Sequence, residues 1–186
     1  MNPNQTMKHP KEIAFTILMV SWVMLFAALF LSYALLRFKE PQWPPMGFET
    51  VSLFWPTIST AQVVLSSYTL YLFSQNFKTN VEKAKKYLYS TIFLGVGFLV
   101  SQKMLWNEMN STGLDVGSGT FASIIQAFSW VHAAHILMGV IGQMWLFSFA
   151  KKADDVDFNF RVLHVSKFWH FLDIVWLLMF VTMFLI

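Results

Sequence analysis

The fold class of this chain follows from the stretch Lys167-Phe-Trp-His-Phe-Leu-Asp-Ile-Val-Trp-Leu-Leu-Met-Phe-Val-Thr-Met-Phe-Leu-Ile186. An apolar run of about 20 residues is long enough to cross the hydrocarbon core of a bilayer as a helix. This run nevertheless contains Asp173, and an Asp at the centre of a membrane helix costs roughly 2.5–3.5 kcal/mol on insertion scales. Such a group is tolerated where it faces protein and has a partner. The stretch therefore predicts a membrane helix that packs against other helices.

The polar side of this helix is predicted by its spacing. Trp169, Asp173, Trp176 and Phe180 are separated by four, three and four positions, which places them on one helical face. We expect Asp173 to be buried and paired, with His170, His132 or His135 as partners. Such a pair could be a proton relay, or a structural pair that fixes the register of the helices.

The composition of the chain agrees with a membrane protein. It is 56% hydrophobic, 18% aromatic and 12% charged, whereas soluble domains contain about 25% charged residues. The chain has no Cys, which excludes disulfides, thiolate metal sites and cysteine catalysis. The net charge of +3 is interpreted as a signal of membrane topology, and we predict no nucleic-acid partner.

The apolar runs predict an all-α, integral membrane five-helix bundle in a single domain, residues 1–186, without a cleaved signal peptide. The predicted spans are about 13–36, 56–75, 87–109, 121–150 and 167–186, with a polar loop over 151–166 before the last span. The second span carries several Ser, Thr and Gln residues, so we expect protein around it.

The distribution of Lys and Arg predicts the orientation. One side of the membrane receives Lys8, Lys11, Lys78, Lys83, Lys85, Lys86, Lys151, Lys152, Arg161 and Lys167, and the other side receives Arg37, Lys39 and Lys103. The rule that positive residues stay inside then places the N-terminus in the cytoplasm and the C-terminus on the outer face.

His132 and His135 are the pair with the spacing of metal ligands. They could share a metal ion or hold haem, with His170 or Asp173 as further ligands. The other interpretation is that both are neutral side chains that form hydrogen bonds to other helices. Gly139, on the same face, would let a neighbouring helix approach closely. No nucleophile, base and acid are combined in a catalytic set, so we predict no catalytic and no metal residues.

Five groups of residues resemble subunit III of the haem–copper terminal oxidases. They are Trp169-His170-Phe171-Leu172-Asp173-Ile174-Val175-Trp176, Trp43-Pro44-Pro45-Met46-Gly47, Ile58-Ser59-Thr60 with Ser66-Ser67, Gly95 with Phe98, Gln102 and Trp106, and His132 with His135 and Gly139. The resemblance covers nearly the whole chain. Members of that family have seven helices or a shorter form of five, and this chain is similar to the short form.

The resemblance implies an accessory subunit of a cytochrome c or quinol oxidase in the bacterial cytoplasmic membrane, acting in the respiratory chain and aerobic electron transport. Such a subunit has no redox centre or active site of its own. Haem and copper belong to the catalytic subunit I on which it packs, and it binds phospholipid. Residues expected in a structural seam or lipid contact are Trp22, Trp43, His132, His135, His170, Asp173 and Trp176.

Three positions depart from the pattern of the family. The stretch Ser21-Trp22-Val23-Met24-Leu25-Phe26-Ala27-Ala28 resembles the SExMxFAG stretch of the family, but Trp22 stands where the family has a buried carboxylate. The Glu expected before Trp106 is replaced by Leu105. A third Glu is not found near Leu163. Two alternatives therefore remain: a subunit III-like accessory protein of a nitric-oxide reductase, and, in a different class, an independent haem- or metal-binding membrane protein that uses His132 and His135.

Overall fold

The computed structural model describes residues 8–39, 52–149 and 156–185, and these residues form helices without any strand. The helices are α1 (Lys8–Lys39), α2 (Phe54–Asn76), α3 (Val81–Ser111), α4 (Thr120–Phe149) and α5 (Val156–Phe180), followed by a π-helical turn at Val181–Leu185. The prediction of an all-α protein with five helices is confirmed.

Four of the five helices are long and apolar enough to cross a membrane. These segments are Pro10–Lys39, Val81–Ser111, Thr120–Phe147 and Asp157–Leu185. Helix α2 has 23 residues, enough for a bilayer at about 1.5 Å per residue, but its serines and threonines keep it out of this group. The chain is therefore a multi-pass membrane protein, with one helix more polar than the rest.

The last helix begins earlier than the sequence predicted. Residues 151–166 were expected to be a loop, but α5 starts at Val156, so this prediction is wrong from that residue onward. Phe158 and Val162 are spaced as one helical face and are both buried, and the Phe158 ring meets Phe77 edge-on at 6.0 Å. Apolar packing at this end therefore extends the helix through a stretch of polar composition.

The chain divides into two compact units, 1–41 and 42–186. The first contains α1, a continuous apolar helix in which the Ser21 and Ser32 hydroxyls donate to the carbonyls four residues earlier, at 2.9 Å. In the second unit α2 packs against α3 and α5, and α4 also packs against α3 and α5. Helices α2 to α5 therefore form a closed four-helix bundle.

Local sequence signals explain the ends of α3. At its start the Asn80 side chain accepts a hydrogen bond from the backbone N–H of Lys83 at 3.0 Å, which satisfies one of the free donors of the first turn. After its end Gly113 has a φ of 81°, and the N–H of Leu114 donates to the Met109 carbonyl at 2.8 Å. Glycine suits this left-handed position because it has no Cβ.

Candidate functional site

Trp169 of α5 is a side chain that joins all four helices of the bundle. It is buried, and its indole ring lies against Gly95 of α3 and Gly139 of α4. A Cβ atom at Gly95 would be 2.9 Å from the ring, and one at Gly139 would be 2.7 Å from it. The indole N–H donates to the Ser66 hydroxyl of α2 at 3.0 Å. One residue of α5 therefore contacts all three other helices.

Trp176 occupies the same face of α5 two turns later, and it is fully buried. Its indole N–H donates to the Thr60 hydroxyl of α2 at 3.0 Å. Its ring meets Phe98 edge-on, with centroids 4.9 Å apart, and stacks on His132 at 5.6 Å. The structure thus places Trp176 and His132, two of the predicted seam residues, against each other in the core.

The two histidines of α4 have different surroundings. His132 is fully buried between the rings of Phe98 and Trp176. His135 is also buried, and its Nδ1–H donates to the Val131 carbonyl of its own helix at 2.7 Å. Within residues 8–39, 52–149 and 156–185, no three His, Asp or Glu side chains gather to hold a metal ion.

A polar cluster joins α5 to α2 beside these rings. His170 Nδ1 lies 2.5 Å from the Ser67 hydroxyl oxygen and 3.7 Å from a carboxylate oxygen of Asp173. Asp173 is only 5% exposed, and neither of its oxygens is within hydrogen-bond geometry of a donor in the part of the chain that the structure describes. Of the three histidines named as possible partners, the structure brings His170 to Asp173.

A second set of polar groups joins α2, α3 and α4. The side-chain N–H of the fully buried Gln102 donates to the Ser59 hydroxyl at 3.1 Å. The Gln102 carbonyl oxygen accepts from Ser129 at 3.1 Å, and the Ser129 oxygen accepts from the Trp106 indole N–H at 2.7 Å. Such bonds join helices where hydrophobic burial gives little driving force.

The sequence placed Trp169 on the helical face that meets other helices but did not include it among the expected seam residues, and it did not include Ser67 or Gln102 either. Two features of the sequence could have indicated these residues. Gly95 and Gly139 leave room for a large side chain such as Trp169, and the polar residues of the second span need hydrogen-bond partners on other helices. Trp22 lies half-buried on α1, and Trp43 lies outside the described residues. Leu105, where the resemblance implies a Glu, is buried in the core, and Leu163, near which it implies another, is exposed on α5.

The chemistry available here is that of helix association. Each motif placed on a helix supplies a ring, a glycine, a hydroxyl or an amide to another helix. Among the residues that the structure describes, no nucleophile, base and oxyanion donor converge on one site where a substrate could bind. In the described residues it can fix the register of four helices and hold one titratable pair, His170 and Asp173, near the middle of the last span.

Comparison with known proteins gives a consistent family. Residues 3–186 match the family model of cytochrome c oxidase subunit III. Cytochrome c oxidase subunit 3 of Thermostichus vulcanus is 27% identical over 185 residues, which cover 96% of this chain and 90% of the relative. Cytochrome bo(3) ubiquinol oxidase subunit 3 of Buchnera aphidicola is 27% identical over 183 residues, covering 97% and 96%.

A third relative, cytochrome c oxidase subunit 3 of Bacillus sp. PS3, is 26% identical over 178 residues, covering 94% of this chain and 85% of its own length. These comparisons give no support to the nitric-oxide reductase alternative or to an independent haem- or metal-binding protein. The resemblance first seen in the Trp169–Trp176 motif therefore holds over the whole length, and the chain belongs to the cytochrome c oxidase subunit III family, the third subunits of respiratory haem–copper oxidases.

Proposed function

We propose that this chain is an accessory subunit that packs on the haem–copper catalytic subunit I, stabilises it, and carries no cofactor of its own. One observation carries the proposal: the motif side chains are used in contacts between helices of the same chain. Trp169 packs against two glycines, and Trp176 bonds Thr60 and stacks on His132. A bundle held this way is a rigid surface for another membrane protein.

The proposed setting is the bacterial cytoplasmic membrane, where haem and copper in the partner subunits carry electrons to oxygen during aerobic respiration. The proposed orientation has the N-terminus in the cytoplasm and the C-terminus on the outer face, with all five helices crossing. The excess of Lys and Arg on the N-terminal side supports this orientation. Phospholipid is proposed as a further partner, because α3 and α4 expose apolar side chains such as Phe93 and Ile141.

The experiment that tests the proposal is purification of the tagged chain from native membranes in mild detergent. The expected result is co-purification of a larger polypeptide, with a haem absorption spectrum and copper in fixed ratio to it. Turnover with reduced cytochrome c and with a quinol then identifies the electron donor. The matched control is the double variant His132→Phe, His135→Phe.

The aromatic replacement keeps a ring where His132 stacks on Trp176, so the complex is expected to assemble in useful amount. An accessory subunit predicts that the assembled complex keeps its full haem and copper content. A lower haem or metal content per assembled complex in the double variant than in the parent would contradict the proposal, because the chain would then hold the cofactor itself.

A further inference from the structure

Helix α4 carries a polar side chain that has no hydrogen-bond partner in the part of the chain that the structure describes. Gln143 is fully buried, and neither its side-chain nitrogen nor its side-chain oxygen is within hydrogen-bond geometry of another group there. An amide side chain offers two donors and one acceptor, and burying it without partners is costly. Lipid chains cannot supply those partners. Gln143 therefore marks a place where the bundle needs a polar neighbour.

Ser166 of α5 is a second group of this kind. It is only 9% exposed, and its hydroxyl also has no partner among the described residues. A serine within a helix can donate to the carbonyl one turn earlier, as Ser21 and Ser32 do at 2.9 Å. Ser166 does not make this bond, so its hydroxyl is available to a group outside its own helix.

Gln143 and Ser166 lie at the same level of the bundle. Helices α4 and α5 run antiparallel, because a later glycine of α4 adjoins an earlier residue of α5. The adjoining positions are Gly139 with Trp169 and Gly142 with Val165. Gln143 lies one turn after Gly139, and Ser166 lies just under one turn before Trp169, and in antiparallel helices these two steps run in the same direction. The amide and the hydroxyl therefore lie on the facing sides of α4 and α5.

The other two helices bring hydroxyl groups to this level. Thr91 lies one turn before Gly95, which is against the Trp169 ring. Thr69 lies just under one turn after Ser66, which accepts from the Trp169 indole N–H. The hydroxyl oxygens of Thr69 and Thr91 are 2.8 Å apart and form a hydrogen bond. Each helix of the bundle thus gives one side chain to a set that we call the polar layer: Thr69, Thr91, Gln143 and Ser166.

The polar layer is closed on both sides. The buried Trp169 lies on one side. One turn away on the other side, each helix places an apolar side chain that is at most 3% exposed: Phe73, Leu88, Leu146 and Val162. A molecule bound in the layer must therefore be small, and it must be neutral, because the layer has no charged side chain. It must also both donate and accept hydrogen bonds. Water meets these conditions, and a buried water typically makes about three hydrogen bonds.

We propose that Gln143 and Ser166 bind a buried water molecule that joins α4 to α5 inside the membrane. The water accepts from the Gln143 amide N–H and donates to the Ser166 hydroxyl oxygen. Such a bridge connects groups that are too far apart for a direct bond, and it is nearly as favourable as one. The site lies wholly within this chain. It goes beyond the proposed function and does not depend on it, so either can fail without the other.

The first test is a cryo-electron microscopy map of the purified protein, in its complex, at a resolution at which ordered waters are visible. The expected result is a separate density peak within about 2.6–3.2 Å of both the Gln143 amide and the Ser166 hydroxyl. A map without this peak would overturn the proposal, whether the amide bonds Ser166 directly or stays unbonded.

The second test measures the thermal midpoint of the same preparation with Gln143→Met, Ser166→Ala and both changes together. Gln143→Met keeps the length of the side chain and removes the amide. If a water bridges the two groups, each single change leaves the other group unsatisfied and lowers the midpoint by about 2–8 °C. The double variant then loses clearly less than the sum of the two, because both polar groups are gone.

Two results of this cycle would overturn the proposal. If the groups are buried without any partner, each apolar replacement raises the midpoint or leaves it unchanged. If they have separate partners, their losses add. The matched control combines Gln143→Met with Ser111→Ala, because the Ser111 hydroxyl donates to the Glu108 carbonyl at the other end of α3, at 2.8 Å. The losses of this pair are expected to add, and coupling as large as that with Ser166 would also count against the bridge.

Discussion

At the residue scale, the bundle depends on how closely the helices approach Trp169. Gly95 and Gly139 both lie against its indole ring, and each leaves no room for a methyl group. A Cβ at either glycine would lie less than 3.0 Å from the ring, and the ring N–H is held by Ser66. The close approach of small residues that is typical of membrane helices is therefore used here to enclose one large side chain.

This arrangement predicts that Gly139→Ala destabilises the assembled subunit by about 1–3 kcal/mol, the usual cost of overpacking a core. The new Cβ would lie 2.7 Å from the Trp169 ring. Gly142→Ala is the control, because a Cβ at that position would meet Val165 at 3.6 Å, an ordinary contact. The measurement is the thermal unfolding of the purified complex, and equal midpoints for the two variants would contradict the enclosed ring.

Asp173 gives a prediction that separates a structural pair from a proton relay. Asp173→Ala removes the carboxylate 3.7 Å from His170 and leaves a cavity in a buried position. Breaking a buried pair typically costs about 3–5 kcal/mol. We therefore expect the amount of assembled complex to fall more than the turnover of the complex that does assemble. Normal assembly with greatly reduced turnover is the result expected of a relay.

At the scale of elements, the sequence predicted all five helices, but α1 and α3 begin five and six residues before the predicted spans 13–36 and 87–109. The ends of α2 and α4 lie within two residues of the predicted spans. The start of α5 was missed because hydropathy averages over a segment, and Asp157, Asn159, Arg161 and His164 lower the average. The periodic signal was nevertheless present, since Phe158 and Val162 repeat at helical spacing.

The early start of α5 can be tested with Phe158→Ala. Phe158 is buried against Phe77, so its loss should cost about 3–5 kcal/mol, as for other Phe→Ala changes in cores. Leu163→Ala is the control, because Leu163 is on the same segment but exposed. The measurement is the rate of proteolysis of this segment in the detergent-solubilised complex. A loop at this position would instead be cut equally fast in the parent and in both variants.

At the scale of the whole molecule, the number of crossings fixes where the termini lie. If all five helices cross the membrane, the termini lie on opposite sides. If only the four most apolar helices cross, the termini lie on the same side. We expect green fluorescent protein to fluoresce at the N-terminus, and alkaline phosphatase to be active at the C-terminus. The opposite pair of fusions should be silent. Active phosphatase at both ends, or at neither, would mean that α2 does not cross.

The sequence could not predict which polar side chains meet. Residues such as Ser67 and Gln102 bond to residues 103 and 43 positions away along the chain, respectively. Periodicity places each residue on a face of its own helix, but the rotation and depth of each helix decide its partner. The motif near Trp169 identified the family because its residues are fixed by several contacts at once. The sequence could therefore predict that Asp173 is buried, but it left three histidines, His132, His135 and His170, as possible partners.

The place of Trp169 in the order of the chain matters for biosynthesis. The ribosome delivers α2, α3 and α4 to the membrane before α5, because synthesis proceeds from the N-terminus. Until α5 arrives, α2, α3 and α4 lack the ring that packs against Gly95 and Gly139. The contacts by which Trp169 joins α2, α3 and α4 therefore form only after α5 has entered the membrane.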